Sequence, residues 1–217
     1  VTDVRRSYWS AAFLVFAGIT LIAVAAGPVH SQEYPIVFSD DFSQGAAQWE
    51  ILWDPNGSIQ PGAGYLVFGD YGQEVHMRIP EILTNDFNLV IDADLNTGSE
   101  DWLGIRFGAT EGHPWYYGHV IFIRPNGTVQ LLREPAPGQL KNDATDNFYL
   151  GKLPAFTGLS TLEVLVRPEK LEIIVDGLHT LTFDDISVRP GYVELYAVNP
   201  GPVKLYYVEL AARTQDE

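Results

Sequence analysis

Between residues 102 and 119 the chain gathers Trp102, His113, Trp115, Tyr116, Tyr117 and His119, with Arg106 among them and Glu100 and Asp101 just before. Aromatic rings stack on apolar C–H faces while guanidinium and carboxylate groups pair with hydroxyls, so this set has the means to hold a carbohydrate. On an extended chain Trp102 and Arg106 share the side opposite Leu103, Ile105 and Phe107. If those three enter a core, the tryptophan and the arginine face a ligand about 13 Å apart, a span that suits two or three sugar residues. The competing reading is that Trp115, Tyr116 and Tyr117 cap the core at a sheet edge.

Cutting a glycosidic bond asks for more, namely one carboxyl group protonated as an acid and a second one ionised. The nearest arrangement is Asp92 and Asp94, alternate residues on one face of a strand, followed by Asn96 rather than a third acid. An exposed, solvated strand face is the plainer account of that pair. His76 and Arg78 alternate in the same way, and all four residues line one groove with Trp102 if their strands neighbour its strand. Asp40-Asp41 and Asp184-Asp185 offer hard oxygens of the kind Ca²⁺ prefers, although such pairs are also ordinary turn residues. The five histidines are scattered without the spacing of a catalytic zinc site. A phosphate-binding glycine loop, a nucleophile elbow and a basic aromatic stripe are all missing.

The elements that must position these residues are short strands. Phe87, Leu89, Ile91, Ala93 and Leu95 alternate with Asn88, Asp92, Asp94 and Asn96, as a half-buried strand requires. Val75, Met77 and Ile79 repeat the pattern, as do Leu162, Val164 and Val166. Asn126-Gly127 and Asp176-Gly177 tolerate the positive φ angles of tight hairpins and predict turns between Tyr116–Arg124 and Thr128–Arg133, and between Leu171–Val175 and His179–Phe183. Pro200-Gly201-Pro202 separates Tyr192–Val198 from a last strand, Val203–Ala211. About a dozen strands with no intervening helix predict an all-β, two-sheet antiparallel sandwich. The polar stretch from Glu134 to Asn147 is long enough for a lid or insertion.

The first residues are of another kind. Arg5 and Arg6 precede an apolar run from Ala11 to Gly27, and Pro28-Val29-His30-Ser31 follows. This is the pattern of a secretory signal peptide over residues 1–31, cleaved after Ser31. The run of 17 residues (27 − 11 + 1) also reaches the lower limit of a membrane span, so an uncleaved anchor helix stays open, and it would be the only membrane contact. Either way the remainder is expected to be exported, whether secreted, periplasmic or at the cell surface. Residues 36–211 then form one β-domain and 212–217 a short polar tail. The chain has no cysteine, so neither a disulfide scaffold nor a thiol enzyme is open to it. Its net charge is −15, and beyond residue 31 it is 11 − 27 = −16, a surface that repels nucleic acid and anionic lipid. The sequence assigns no oligomeric state.

Phe38 with Asp40-Asp41-Phe42, the spaced Trp49 and Trp53, Trp102-Leu-Gly-Ile-Arg-Phe107, Tyr116-Tyr117-Gly118-His119, Ile174-Val175-Asp176-Gly177 and Gly191-Tyr192-Val193-Glu194-Leu195 form a further pattern. Together they resemble the concanavalin A-like lectin/glucanase jelly roll, and within it the 3-keto-disaccharide hydrolase family. The chain departs from that family at Gly108, where it carries an arginine, and at Glu194, where it carries a glycine. The acid pattern of family 16 glycoside hydrolases is absent. The resemblance implies a jelly roll used to hold glycan, and related jelly rolls often carry a structural Ca²⁺. The expected function is an exported, non-catalytic carbohydrate-binding domain with a glycan or oligosaccharide as partner. Its expected ligand contacts are Trp102, Arg106, Trp115, Tyr117, His119, His76 and Arg78, with no cofactor beyond Ca²⁺ at Asp40, Asp41, Asp184 and Asp185. A 3-keto-disaccharide-type glycoside hydrolase using Asp92 and Asp94, and a laminin G-like adhesion module, are the alternatives.

Overall fold

Strand Phe87–Asp94 buries Phe87, Leu89, Ile91 and Ala93 completely and leaves the residues between them half exposed, so one period-two pattern sends one face to the core and the other outward. The same alternation recurs in Leu159–Arg167 and Lys170–Val175, whereas Val75–Arg78 and Trp102–Ala109 are buried on both faces. The computed structural model describes residues 34–69, 74–95, 102–109, 118–134, 149–198 and 203–213. The chain divides into a unit Val1–Gln32 and a unit Glu33–Glu217, and every described residue belongs to the second. The expected signal or anchor segment, Trp115, Tyr117, and residues 135–147 of the expected lid therefore lie outside the described residues.

Fifteen strands are present among those residues: β1 Ile36–Asp40, β2 Glu50–Trp53, β3 Ile59–Pro61, β4 Leu66–Phe68, β5 Val75–Arg78, β6 Phe87–Asp94, β7 Trp102–Ala109 and β8 Gly118–Ile123. The remainder are β9 Thr128–Glu134, β10 Tyr149–Lys152, β11 Leu159–Arg167, β12 Lys170–Val175, β13 His179–Asp184, β14 Tyr192–Val198 and β15 Val203–Ala212. They form two antiparallel sheets. The first runs β13-β12-β11-β6-β15-β4-β3, with β1 also on β15, and the second runs β10-β9-β8-β7-β14-β5-β2. Chain neighbours pair in the hairpins, but the centre of each sheet joins distant segments, β6 with β15 and β7 with β14.

The turns do what their residues allow. Asp176 and Gly177 both take positive φ, 52° and 64°, as a tight hairpin between β12 and β13 needs. Asn126 Oδ1 accepts from the Thr128 N–H at 2.8 Å and folds the β8–β9 turn. A bulge between Leu205 and Tyr207 lets β15 keep Val203 and Leu205, then Val208 and Leu210, on the same buried side. Asp40 closes the entry to the fold. Its Oδ1 accepts from the Phe42 N–H at 2.8 Å and its Oδ2 from Trp49 Nε1 at 2.9 Å, while the indole stacks on Phe42 and meets Phe38 edge-on.

Without disulfides, the two sheets hold together through the apolar layer between them, in which Phe87 of the first sheet meets Phe107 of the second at 6.0 Å. Ile91→Ala in this layer should cost about 2–5 kcal/mol in denaturant unfolding. Asn88→Ala on the outer face loses one bond, to Glu163 at 2.7 Å, and should cost about 1 kcal/mol. Equal losses would show that the strand's two faces are misassigned.

Candidate functional site

The second sheet turns Val75, Met77, Leu103, Ile105, Phe107, Val193 and Leu195 inward, so His76, Arg78, Trp102, Arg106, Glu194 and Tyr196 stand on its outer face. Strand pairing sets them in rows. Arg106 of β7 faces Glu194 of β14, Glu194 faces Arg78 of β5, and Arg78 faces Glu50 of β2, giving alternating charge across four strands. Arg78 donates from Nε at 3.0 Å and Nη2 at 2.7 Å to Glu194 Oε1, and Arg106 donates from Nη1 at 3.2 Å to Oε2. Arg78 Nη1 lies 3.6 Å from Glu50 Oε2, and the Tyr192 ring lies 4.1 Å from the same guanidinium. Glu194, Arg106 and Arg78 are 0%, 3% and 6% exposed, so this row is a floor rather than a set of free arms.

Two residues along, about 6.6 Å away at the strand rise, runs an aromatic row. Phe122 of β8 pairs with Gly104, Gly104 with Tyr196, Tyr196 with His76, and His76 with Trp53. Tyr196 meets Phe122 edge-on at 5.2 Å and stacks on His76 at 5.0 Å, and His76 Nε2 lies 2.9 Å from Glu74 Oε1. Gly104 makes the row possible, because a Cβ there would sit 2.5 Å from the Tyr196 ring. The row ends in Trp53, which is 46% exposed. Beyond its other end, Trp102 meets Phe122 edge-on at 5.0 Å and carries the Arg124 guanidinium 3.6 Å over its ring.

The expected contacts are thus divided. Trp102, Arg106, His76 and Arg78 share one face, with β5 and β7 both flanking β14. Arg106 is held in the floor by Glu194, and Trp102 is half buried with one ring face under Arg124, so neither is presented freely as expected. His119 is corrected. It lies opposite Phe107 on the inward face, buried and stacked on that ring at 5.5 Å, because its offset of three residues from outward Phe122 is odd. Trp115 and Tyr117 lie outside the described residues.

Asp92 and Asp94 are corrected too, since β6 belongs to the first sheet and turns them to the opposite side of the sandwich. Asp92 Oδ1 accepts from Thr161 Oγ1 at 2.6 Å, and Asp92 faces Tyr207. The Tyr207 hydroxyl is pushed up to about 12, chiefly by its bond to Glu209 at 2.6 Å. The four aspartates expected to hold Ca²⁺ do not form one site. Asp40 is buried with both oxygens taken by N–H donors, and exposed Asp41 is lowered below the usual carboxylate range by its bonds to Ser43. Asp184 ends β13, five strand spacings from β1 and so roughly 24 Å away across the sheet. Among the described residues no three His, Asp or Glu side chains converge on a metal position.

Glu194, Tyr196, Trp53 and Arg124 were not foreseen as site residues. A signal for the first two existed. The alternation of Tyr192 to Ala197 sends both outward with Tyr192, and Glu194 replaces a glycine of the family pattern.

No family model and no curated protein matches the chain. Solved structures do. The exoplasmic/lumenal domain of VIP36 in its Ca²⁺-bound form aligns with a TM-score of 0.59 at 11% identity, over 82% of this chain and 91% of that one. The laminarinase catalytic domain from Thermotoga maritima gives 0.59 at 13% identity, over 85% and 100%. The carbohydrate-binding module CBM66 from Bacillus subtilis gives 0.52 at 12% identity, over 74% and 91%. The fold is the concanavalin A-like jelly roll. At these identities the likeness is one of fold alone.

In this jelly roll the two rows depend on each other's geometry. Glu194→Ala should cost about 3–5 kcal/mol, because it strands two buried guanidiniums. Gly104→Ala should destabilise by about 1–3 kcal/mol through the Tyr196 ring. Urea unfolding of the double variant Gly104→Ala/Tyr196→Ala checks the second claim, and strictly additive losses would rule out the contact as the cause.

Proposed function

We propose that this chain is an exported glycan-binding domain that holds an oligosaccharide on the outer face of its second sheet without cutting it. The observation that carries this reading is the aromatic row from Phe122 to Trp53 running beside a fixed ionic row. Sugar rings need aromatic planes, and here only the ends of the row offer them: Trp53, 46% exposed, at one end and part-exposed Phe122 and Trp102 at the other, backed by Tyr196 and His76, which are 2% and 0% exposed. Similarity of fold to lectins and to a carbohydrate-binding module agrees with such a use.

The non-catalytic part of the reading rests on the carboxylates. Hydrolysis needs one carboxyl that can give a proton and one that can attack or activate water. Both oxygens of Glu194 accept from arginine, and Asp92 and Asp94 lie on the other sheet. One observation favours the hydrolase alternative, which the laminarinase-like fold also accommodates: part-exposed Glu50 and Glu74 reach the same face as Glu194.

Calorimetric titration with mannose oligosaccharides and β-1,3-glucan fragments, paired with a reducing-end assay, separates the two. Binding without new reducing ends is expected. Trp53→Ala should weaken that binding by about 1–3 kcal/mol with little change in melting temperature, as an exposed aromatic anchor does. Unchanged affinity in both Trp53→Ala and Trp102→Ala would move the site off this face, and product formation lost in Glu50→Gln would make the protein an enzyme.

A further inference from the structure

We propose that the glycan is acidic, and that Arg124, laid on Trp102, recognises the carboxylate of a uronic acid unit; this rests on the glycan-binding reading above and names its ligand class. Arg124 follows β8 on the outward side, one step beyond the Leu103–Ile123 pair, which brings it over Trp102 at the end of β7. A guanidinium lying 3.6 Å over an indole has spent its flat face on the ring, while its N–H donors still point outward in the plane. The other two arginines of this face, Arg78 and Arg106, are both bonded to Glu194. Arg124 is different. No carboxylate pairs with it among the described residues, whereas a buried Nε that meets no acceptor occurs in Arg106 as well as in Arg124.

In a chain with 28 acidic residues against 13 basic ones, an arginine that meets no acid among the described residues is not explained by scarcity of partners. Arg124 is part exposed, so N–H donors of its guanidinium other than the buried Nε can meet an acceptor supplied from outside. The planar fork of a guanidinium matches a carboxylate with two parallel bonds, and stacking on Trp102 fixes that fork in advance. Phe122 and Trp102, both part exposed, supply apolar surface beside it for the pyranose ring that bears the carboxylate. A neutral sugar would satisfy the donor with a hydroxyl but would leave the positive charge uncompensated, and selection between the two follows from that difference.

The test is a panel in which each uronate oligosaccharide is matched to a neutral one of the same backbone and linkage. Sodium acetate and sodium sulfate serve as bare anions. Binding is read by calorimetry and tryptophan fluorescence on the wild type, Arg124→Gln and Arg124→Lys. At least one uronate should bind roughly ten- to a hundredfold more tightly than its neutral match, the scale of a charged hydrogen-bonded pair. Arg124→Gln should erase that ratio by removing the charge that separates the two members of a pair, and Arg124→Lys should restore only part of it. Equal affinity for the members of every pair would overturn this proposal alone, as would a ratio that survives in Arg124→Gln. Sulfate or acetate binding as tightly as the uronate oligosaccharide would make the position a simple anion site. Binding to no glycan at all would overturn the glycan-binding reading with it.

Discussion

The long central strands of both sheets give one face to a single apolar layer, which alone holds the sheets together because no cysteine cross-links them. That constraint leaves exactly two surfaces on which chemistry can be built, one per sheet, and assigns each polar side chain to one of them by parity. The first sheet spends its outer face on ordinary solvated pairs such as Asn88 with Glu163 and Asp92 with Thr161. The second places a carboxylate at its centre, sealed between two arginines. What the molecule can bind follows from this asymmetry more than from any one motif.

A buried ionic row is an expensive floor. Removing Glu194, Arg78 and Arg106 from water costs several kcal/mol per ion, and their attraction offsets that only with full hydrogen bonding. Glu194 accepts three bonds, from Arg78 Nε and Nη2 and from Arg106 Nη1. The return is rigidity. With both guanidiniums pinned, Tyr192 and Tyr196 gain cationic neighbours at 4.1 and 5.2 Å, and Tyr196 is clamped over Gly104 between Phe122 and His76. A hydrophobic floor of equal volume would hold the sheet together as well, so the row is better understood as a device for orienting the aromatic surface.

Local physics was legible in the sequence and long-range pairing was not. The alternation of Phe87 to Leu95 and the Asp176-Gly177 turn depend on neighbours within a few residues, and the strands and hairpin appear where those residues place them. The inward face of β7 was legible for the same reason. Whether β5 or β6 stands near β7 depends on contacts spanning about a hundred residues, with β14 inserted between β5 and β7. His76 and Arg78 therefore joined Trp102 on one sheet while Asp92 and Asp94, alike in pattern, went to the other. His119 failed through parity, since it is three residues from Phe122 and falls on the buried side. The Glu194 floor could not be read at all before β5, β14 and β7 were known to be adjacent.

Charge is distributed against the chain's own average. Of the 13 basic residues, two precede residue 31, and of the other 11, three stand on one face of the second sheet, where Glu194 and Glu50 offset Arg78 and Arg106 and leave Arg124 without a carboxylate among the described residues. An acidic ligand meets a repulsive field far from the protein and a local cation at contact. The two effects separate by range, because exposed charges beyond about 8 Å are screened at physiological ionic strength whereas a stacked, part-buried guanidinium is screened much less. Added salt should therefore raise the association rate of an uronate oligosaccharide, the reverse of electrostatically steered encounters. Stopped-flow measurement between low and moderate salt tests this. A rate that falls with salt would show that Arg124, and not the net charge of the domain, governs the approach.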